Sequence, residues 1–141
     1  MSDDILTHRQ VGYRFARRLI DAAAAEAERI GVPLSLAVVD RGGHLVAAAR
    51  MDGTPMGAME LAFGKAHTAV SWGMATGEFT ESSQPGGADW GFTTTGPHVV
   101  VYAGGLPIPH DGEMIGGIGA SGGTAEQDEA CVAAALQACG L

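Results

Sequence analysis

The feature that most constrains this chain is an aliphatic run that ends in a turn. Residues 34–39 are almost continuously aliphatic, Asp40-Arg41-Gly42-Gly43 follows, and a second apolar run covers residues 44–50. Two such runs joined by a short segment of turn-forming residues are typical of a β-hairpin. The sequence therefore predicts an antiparallel hairpin in the first third of the chain.

Three segments carry apolar residues at helical spacing. The first is expected to begin at an N-cap, Thr7, and to end at Gly31. The other two cover residues 56–76 and 125–138. We expect these helices to cover a sheet.

Additional strands are predicted at residues 99–102, 106–108 and 114–118. With the hairpin they give about five antiparallel strands flanked by helices, an α/β fold of the α+β kind. Residues 77–97 have no sustained period and hold six Thr or Ser, five Gly and two Pro. A loop of that length is expected to act as a lid, a binding segment or an oligomer contact.

Length and charge limit what the chain can do. Its 141 residues fit a single domain, 1–141, and the formal net charge of −8 disfavours binding to nucleic acid. No secretion signal and no apolar run near the ~20 residues of a membrane span are visible, so we expect a cytoplasmic protein without a membrane partner. Aromatic residues make up only 6%, so small side chains must form the core, and partner subunits are expected to cover surplus apolar surface.

The second predicted helix carries the residues best suited to chemistry. Glu60, His67 and Ser71 are spaced so that they share one face of the helix. A carboxylate and an imidazole on one face can form an acid–base pair or a ligand site. Alternatively, His67 is a partly buried histidine bonded to a neighbour, while Glu60 and Lys65 are solvated.

Two further segments are candidates for binding a carboxylate. Ser121, Gly122 and Gly123 precede the last helix, where backbone N–H groups attract anions. Alternatively, this segment is a tight turn in which Thr124 caps the helix. Arg50 could bind a ligand carboxylate or pair with an internal acid such as Asp40.

The remaining histidines form no metal-binding pattern. His8 and His44 lack acidic or cysteine partners at metal-ligand spacing, no HxxxH or CxxC pattern occurs, and no metal site is predicted. His110 and Asp111 lie at a predicted hairpin tip. They face either solvent or the pocket of a neighbouring subunit.

Several motifs, taken in order, resemble those of one family. They are LAVVDRGGHLV at 36–46, RMDG at 50–53, KAHTA at 65–69, QPGG at 84–87, GGLPI at 104–108, DG at 111–112, GGIGASGG at 116–123 and QDE at 127–129. The chain resembles the GlcG/HbpS family, also called the haem-degrading domain family, which is related to the C-terminal domain of PduO-type corrinoid proteins. The resemblance covers about residues 6–138.

This resemblance implies a profilin-like, three-layer α/β/α fold and a homo-oligomer, as dimers and dimer-based rings. For some members it also implies binding of haem or a corrinoid-related role. His67 and Thr68 are then the first positions to test as iron ligands. The resemblance does not imply one reaction shared by the family.

The first functional hypothesis is a small-molecule-binding protein whose ligand is haem or another carboxylated compound. His67 or Thr68 would lie near the centre of the ligand. Arg50, Lys65 and the turn at residues 121–123 would counter its charge.

The second hypothesis is a cofactor-independent enzyme of small-molecule catabolism, an isomerase, lyase or hydratase. His67 would act as the base and Glu60 would orient it. Lys65, Arg50 or the backbone amides at residues 121–123 would stabilise an enolate. A third, purely structural hypothesis is that the domain scaffolds a partner enzyme.

Overall fold

A computed structural model describes residues 4–141 of the protein. None of the helices in that range is long and apolar enough to cross a membrane. The regular elements, in chain order, are α1 (Tyr13–Ile30), β1 (Ser35–Asp40), β2 (Leu45–Arg50), α2 (Ala58–Trp72), β3 (Gly105–His110), β4 (Glu113–Ser121) and α3 (Ala125–Ala138).

The strands form one antiparallel sheet in the order β2-β1-β4-β3. Helix α2 packs on one face, against β4, β1 and β3, while α1 and α3 pack together on the other. The predicted three-layer α/β/α arrangement is confirmed. Its likeness to profilin stays a prediction.

The sheet has four strands rather than the predicted five, because residues 99–102 do not join it. Threonine side chains satisfy the backbone of this segment instead. Thr68 Oγ1 accepts a hydrogen bond from the N–H of Val100 at 3.0 Å, and Thr76 Oγ1 donates to the carbonyl of Tyr102 at 2.7 Å. An apolar run can satisfy its backbone by such side-chain bonds, which the period of a sequence does not reveal.

Helix α1 begins at Tyr13, so the start predicted at Thr7 is wrong. The residues before it run beside β4, where the N–H of Val11 donates to the carbonyl of Ile115 at 2.9 Å. The predicted end at Gly31 is confirmed, because this residue has φ 74° and closes the helix with a left-handed cap.

The other two helices differ in how well their ends were predicted. Helix α2 is shorter than the predicted span 56–76, because Gly73 ends it in a left-handed conformation with φ 65°. Helix α3 matches its prediction. Thr124 caps it and forms a capping box with Gln127.

Residues 77–97 do not form an irregular loop throughout. Two short 3-10 helices, Thr76–Phe79 and Phe92–Thr94, order its ends. The rings of Phe79 and Phe92 lie 5.0 Å apart by their centroids, and Trp72 lies 5.5 Å from Phe92. This aromatic cluster fastens the segment to the end of α2.

Glycines in β4 allow α2 to lie almost directly on the sheet. A Cβ at Gly119 would lie 2.1 Å from the carbonyl oxygen of Ala62, and one at Gly117 would lie 2.4 Å from that of Ala66. The main core is on the opposite face, where Leu36, Ile118 and residues of α1 and α3 pack together. The α2 interface is therefore a contact of backbone on backbone.

We predict that Gly119→Ala destabilises the fold by about 3 kcal/mol, because the added methyl would overlap a rigid helix backbone. Gly57→Ala is the matched control, since a Cβ there meets nothing within 4 Å and φ is −70°. Urea unfolding followed by circular dichroism measures both. Equal stability of the two variants would show that α2 can move away from the sheet.

Candidate functional site

His67 lies in a cluster of rings on the outer side of α2. Its ring centroid is 5.1 Å from that of His98 and 5.9 Å from that of Phe63, and Phe63 meets His98 edge-on at 5.0 Å. We call these three residues the imidazole cluster. His98 and Phe63 belong to it although the sequence analysis did not select them.

The β1–β2 turn lies against the ring of His67. A Cβ at Gly43 would lie 2.9 Å from His67 Cδ2, and φ of Gly43 is 84°, so this position requires glycine. Asp40 Oδ1 shapes the turn by accepting hydrogen bonds from the N–H groups of Gly42 and His44, at 2.9 and 3.0 Å.

Burial lowers the pKa of the His67 imidazole below its ordinary value, and the nearby rings of His98 and His44 lower it further. The ring is therefore neutral near pH 7. A neutral imidazole can act as a base or donate a lone pair to a metal ion.

The predicted face of α2 is formed only in part. Ser71 Oγ lies 3.3 Å from His67 Nδ1 and also donates to the His67 carbonyl at 2.7 Å. Glu60 is exposed, and its carboxylate makes no hydrogen bond or ion pair with residues 4–141. The orienting role predicted for Glu60 therefore has no support in the geometry.

Lys65, the only lysine of the chain, points into the protein and not toward His67. Its Nζ donates to Asp128 Oδ2 and to the carbonyl of Ala120, both at 2.9 Å, and its side chain is 3% exposed. The ammonium is therefore a structural group, which does not support the catalytic or ligand-binding role predicted for Lys65.

Thr68 is also committed to the fold. It is 1% exposed, and its hydroxyl donates to the carbonyl of His98 at 2.8 Å while accepting the N–H of Val100. Both bonds hold the segment that places His98 beside His67. The structure therefore does not support Thr68 as a direct iron ligand.

The predicted carboxylate-binding residues lie at the other end of the sheet. Ser35 pairs with Arg50 on one side and with Ser121 on the other, whereas the turn against His67 follows Asp40. Five residue steps of strand at ~3.3 Å separate Ser35 from Asp40, roughly 16 Å. Arg50 and Ser121 therefore do not share a site with His67, and Arg50 cannot pair with Asp40.

The protein itself occupies the turn before α3. The N–H of Gly123 donates to Asp128 Oδ1 at 2.9 Å, and the N–H of Thr124 donates to Gln127 Oε1 at 2.9 Å. The capped tight turn is therefore the correct interpretation of the segment Ser121, Gly122 and Gly123. An external carboxylate would have to displace an internal one.

An apolar cleft lies at the same end of the sheet as the imidazole cluster. It has a volume of about 310 Å³ and lies where the segment before α1 meets the β3–β4 hairpin. Its lining is Arg9, Gln10, Val11, Gly12, Phe15, His110 and Ile115. We call it the N-terminal cleft, and of its lining residues only His110 is a candidate for chemistry from the sequence.

Charged groups fix the shape of this cleft. Arg9 Nε donates to Glu113 Oε2 at 3.0 Å, and Arg9 Nη1 lies 3.4 Å from Asp111 Oδ2. Hydrogen bonds from the N–H and then the guanidinium of Arg9 lower the pKa of Glu113 below its ordinary value. His110 Nε2 lies 3.4 Å from Asp111 Oδ2. The rim thus combines an imidazole with one guanidinium and two carboxylates.

The cleft gave little signal in the sequence. Residues 4–12 are not helical, and their position beside β4 depends on contacts across about a hundred residues of chain.

Within residues 4–141, no cluster of three or more His, Cys, Asp or Glu is placed to hold a metal ion.

The sequence matches the family described as haem degrading protein, HbpS-like, over residues 12–137. A 15.0 kDa protein from the dhaT–dhaS intergenic region of Citrobacter freundii is 37% identical over 122 residues, or 86% of each chain. Klebsiella pneumoniae protein ORFY has a TM-score of 0.95 at 30% identity, with 99% of this chain and 97% of that chain covered. A PduOC:haem complex has a TM-score of 0.86 at 35% identity, with 92% and 94% covered.

The three-layer fold and these matches agree with one another. The chain belongs to the HbpS-like family. The resemblance read from the sequence motifs is thereby confirmed.

We predict that His67 titrates below the ordinary histidine value of about 6.5, because burial and two nearby rings disfavour its charged form. The unfolded chain then binds more protons, so stability falls as pH drops from the ordinary value through the folded one. NMR titration of the ring protons measures the pKa. His98→Ala should raise it only in part, because burial is the larger cause; an ordinary pKa for His67 in the native chain would contradict this placement.

We predict that Lys65→Met destabilises the fold by about 3–5 kcal/mol, because it leaves the Asp128 carboxylate buried without a counterion. Adding Asp128→Asn to Lys65→Met should restore much of the loss. Arg29→Met is the control, because Arg29 pairs with Glu26 on the surface, where solvent screens the pair, and its loss should cost far less. Urea unfolding measures all three, and equal losses for Lys65→Met and Arg29→Met would contradict a buried pair.

Proposed function

We propose that the chain binds a flat, largely apolar ligand that carries carboxylates, with haem as the first compound to test. The observation that carries this proposal is the N-terminal cleft, where Val11, Phe15 and Ile115 form an apolar lining and His110 places an imidazole beside it. Small-molecule sites are typically apolar clefts with a few polar groups at fixed positions.

Two comparisons support haem over other flat ligands. The family is described as haem degrading, and one relative of the same fold was solved as a PduOC:haem complex. The donor set also fits, because a histidine beside a carboxylate is a common arrangement around protein-bound metals. His110 next to Asp111 supplies that arrangement.

His110 would bind the iron, and the apolar residues would contact the porphyrin face. A bound haem would supply one-electron and oxygen chemistry at its iron. The cleft lies at the small end of the ~300–1,000 Å³ range of ligand pockets, so it would take one side of a porphyrin. A neighbouring subunit of the expected dimer-based ring would cover the rest.

His67 is the second candidate for the iron ligand. Its lowered pKa keeps the imidazole neutral, which is the form that binds metals. Acid–base catalysis at the same residue is less well supported, because neither Glu60 nor Lys65 faces the His67 ring. Binding is therefore the function that the geometry favours.

We predict a saturable Soret shift when haemin is added to the purified chain. His110→Ala should weaken haemin binding at least about tenfold, because removing a metal ligand should lower the affinity no less than removing a residue that hydrogen-bonds to such a ligand. His67→Ala is the competing variant and His44→Ala the exposed control. A loss confined to His67→Ala would move the ligand to the imidazole cluster. No saturable shift in the native chain would overturn haem binding.

A second variant tests the cleft without removing a histidine. Gly12 lines the cleft, has φ −90°, and has open space where a Cβ would stand. Gly12→Leu should therefore fold and fill the cleft, reducing haemin affinity, whereas Gly12→Ala should change it little. Absorbance titration measures both, and unchanged affinity for Gly12→Leu would place the ligand elsewhere.

A further inference from the structure

Ser35 carries a buried polar atom that has no partner. The residue is 0% exposed, and its Oγ makes no hydrogen bond with any of residues 4–141. In that part of the chain it is the only buried side-chain oxygen or nitrogen left unpaired. A buried hydroxyl without a partner costs free energy, because water would satisfy it outside the protein. The groups around Ser35 suggest a partner that the chain itself does not provide.

The side chain of Ser35 points to the α2 face of the sheet. Leu36, the next residue, packs in the core formed with α1 and α3, and successive residues of a strand point to opposite faces. Ser35 pairs with Ser121 of β4 on one side and with Arg50 of β2 on the other. Residues directly opposite each other in an antiparallel pair share a face. We call Ser35, Ser121 and Arg50 the polar row.

The polar row lies at the N-terminal end of α2. The helix runs opposite to β4, as the contacts of Gly117 and Gly119 with its backbone show, and a Cβ at Gly119 would meet the carbonyl of Ala62. Two residues of a strand advance about 6.6 Å and four residues of a helix about 6 Å. Ser121 is therefore level with Ala58, the first residue of the helix.

The first turn of α2 offers hydrogen-bond donors that the chain leaves unused. No side chain caps the helix, whose N-cap position is Gly57. The N–H groups of Met59 and Glu60 have no acceptor among residues 4–141. Such groups, together with the positive end of the helix dipole, favour an anion. The carboxylate of Glu60 does not fill this place, because it is exposed and unbonded.

Arg50 gives the polar row a positive charge. Its side chain is exposed and makes no ion pair or hydrogen bond within residues 4–141. Between residues 42 and 64 it is the only Lys or Arg, and the acidic residues there are Asp52 and Glu60. Both acidic residues are exposed, where solvent screens them, but they still reduce the attraction for an anion. Removing either negative charge should therefore tighten anion binding.

We infer that the polar row and the first turn of α2 bind a phosphate group, either inorganic phosphate or a phosphate monoester. Met59 and Glu60 donate their backbone N–H groups from the helix. The hydroxyls of Ser35 and Ser121 donate from the sheet, and Arg50 binds from its edge. A tetrahedral phosphate presents oxygens in all three directions, whereas a planar carboxylate does not.

This site explains the unpaired hydroxyl of Ser35. Ser121 is 6% exposed and lies at the opening, whereas Ser35 is covered. The connection between β2 and α2, residues 51–57, has no helix or strand, so it can shift enough to admit the anion. Ser35 Oγ thereby gains the acceptor that the fold lacks. The site is at the opposite end of the sheet from the N-terminal cleft and does not depend on haem binding.

The test is a titration of the full chain with inorganic phosphate at constant ionic strength, followed by NMR of the backbone amides of Met59 and Glu60. Both signals should shift and saturate. Arg50→Gln should raise the dissociation constant about tenfold, because it removes a hydrogen bond between charged groups. Arg14→Gln is the matched control, since Arg14 is exposed on α1, on the other face of the sheet, and should leave the constant unchanged.

Two further variants separate a ligand site from a structural role. Ser35→Ala should weaken phosphate binding without lowering the midpoint of urea unfolding, because the hydroxyl that it removes has no partner in the fold. Glu60→Gln should tighten phosphate binding, because it removes a negative charge from the first turn of α2. A purely structural role for these residues predicts neither change in affinity.

Acetate distinguishes a phosphate site from a general anion site. It should bind more weakly than phosphate, and equal binding would overturn the assignment to a phosphate group. The site itself would be overturned by the absence of a saturable shift, or by equal dissociation constants for Arg50→Gln and Arg14→Gln. Haemin titration of Arg50→Gln reports separately on the N-terminal cleft.

Discussion

The buried ion pair between Lys65 and Asp128 is the interaction on which the arrangement of the layers depends. It joins α2 on one face of the sheet to α3 on the other, beside Gly104, where an added Cβ would lie 2.8 Å from Lys65 Nζ. The same carboxylate accepts the N–H of Gly123 and closes the turn into α3. The ammonium therefore neutralises the carboxylate and donates to a backbone carbonyl, and the carboxylate accepts a backbone N–H of the turn before α3. Each of these groups would be costly to bury without a partner.

The position of α2 then determines which of its side chains can meet a ligand. Because Gly117 and Gly119 let the helix backbone touch β4, the residues facing the sheet have no freedom to turn outward. Lys65 and Thr68 are therefore internal, and His67 is left on the outer side against the β1–β2 turn. Lys65 and Thr68 are close to His67 in sequence, but for this reason they cannot contact the same ligand as His67.

Much of the fold could be predicted from local patterns. The hairpin around Gly43, the left-handed end at Gly31 and the cap at Thr124 all depend on residues close together in sequence, and all three are present. The failures have a different cause. Residues 99–102 look like a strand, but threonines from distant segments satisfy their backbone, and the residues after Thr7 pair with β4. Such contacts across the chain leave no periodic signal.

The candidate site shows the same division between local and distant information. The sequence indicated His67 because of its motif and helical spacing. It could not indicate His98, which lies 31 residues later in a different segment. The sequence motifs also suggested that Arg50 belongs to the same site, but the strand register places Arg50 at the far end of the sheet. The N-terminal cleft depends wholly on distant contacts, since Arg9 reaches Glu113 across 104 residues. A ligand site built at the junction of such segments is visible only once the chain is folded, because its shape belongs to no single motif.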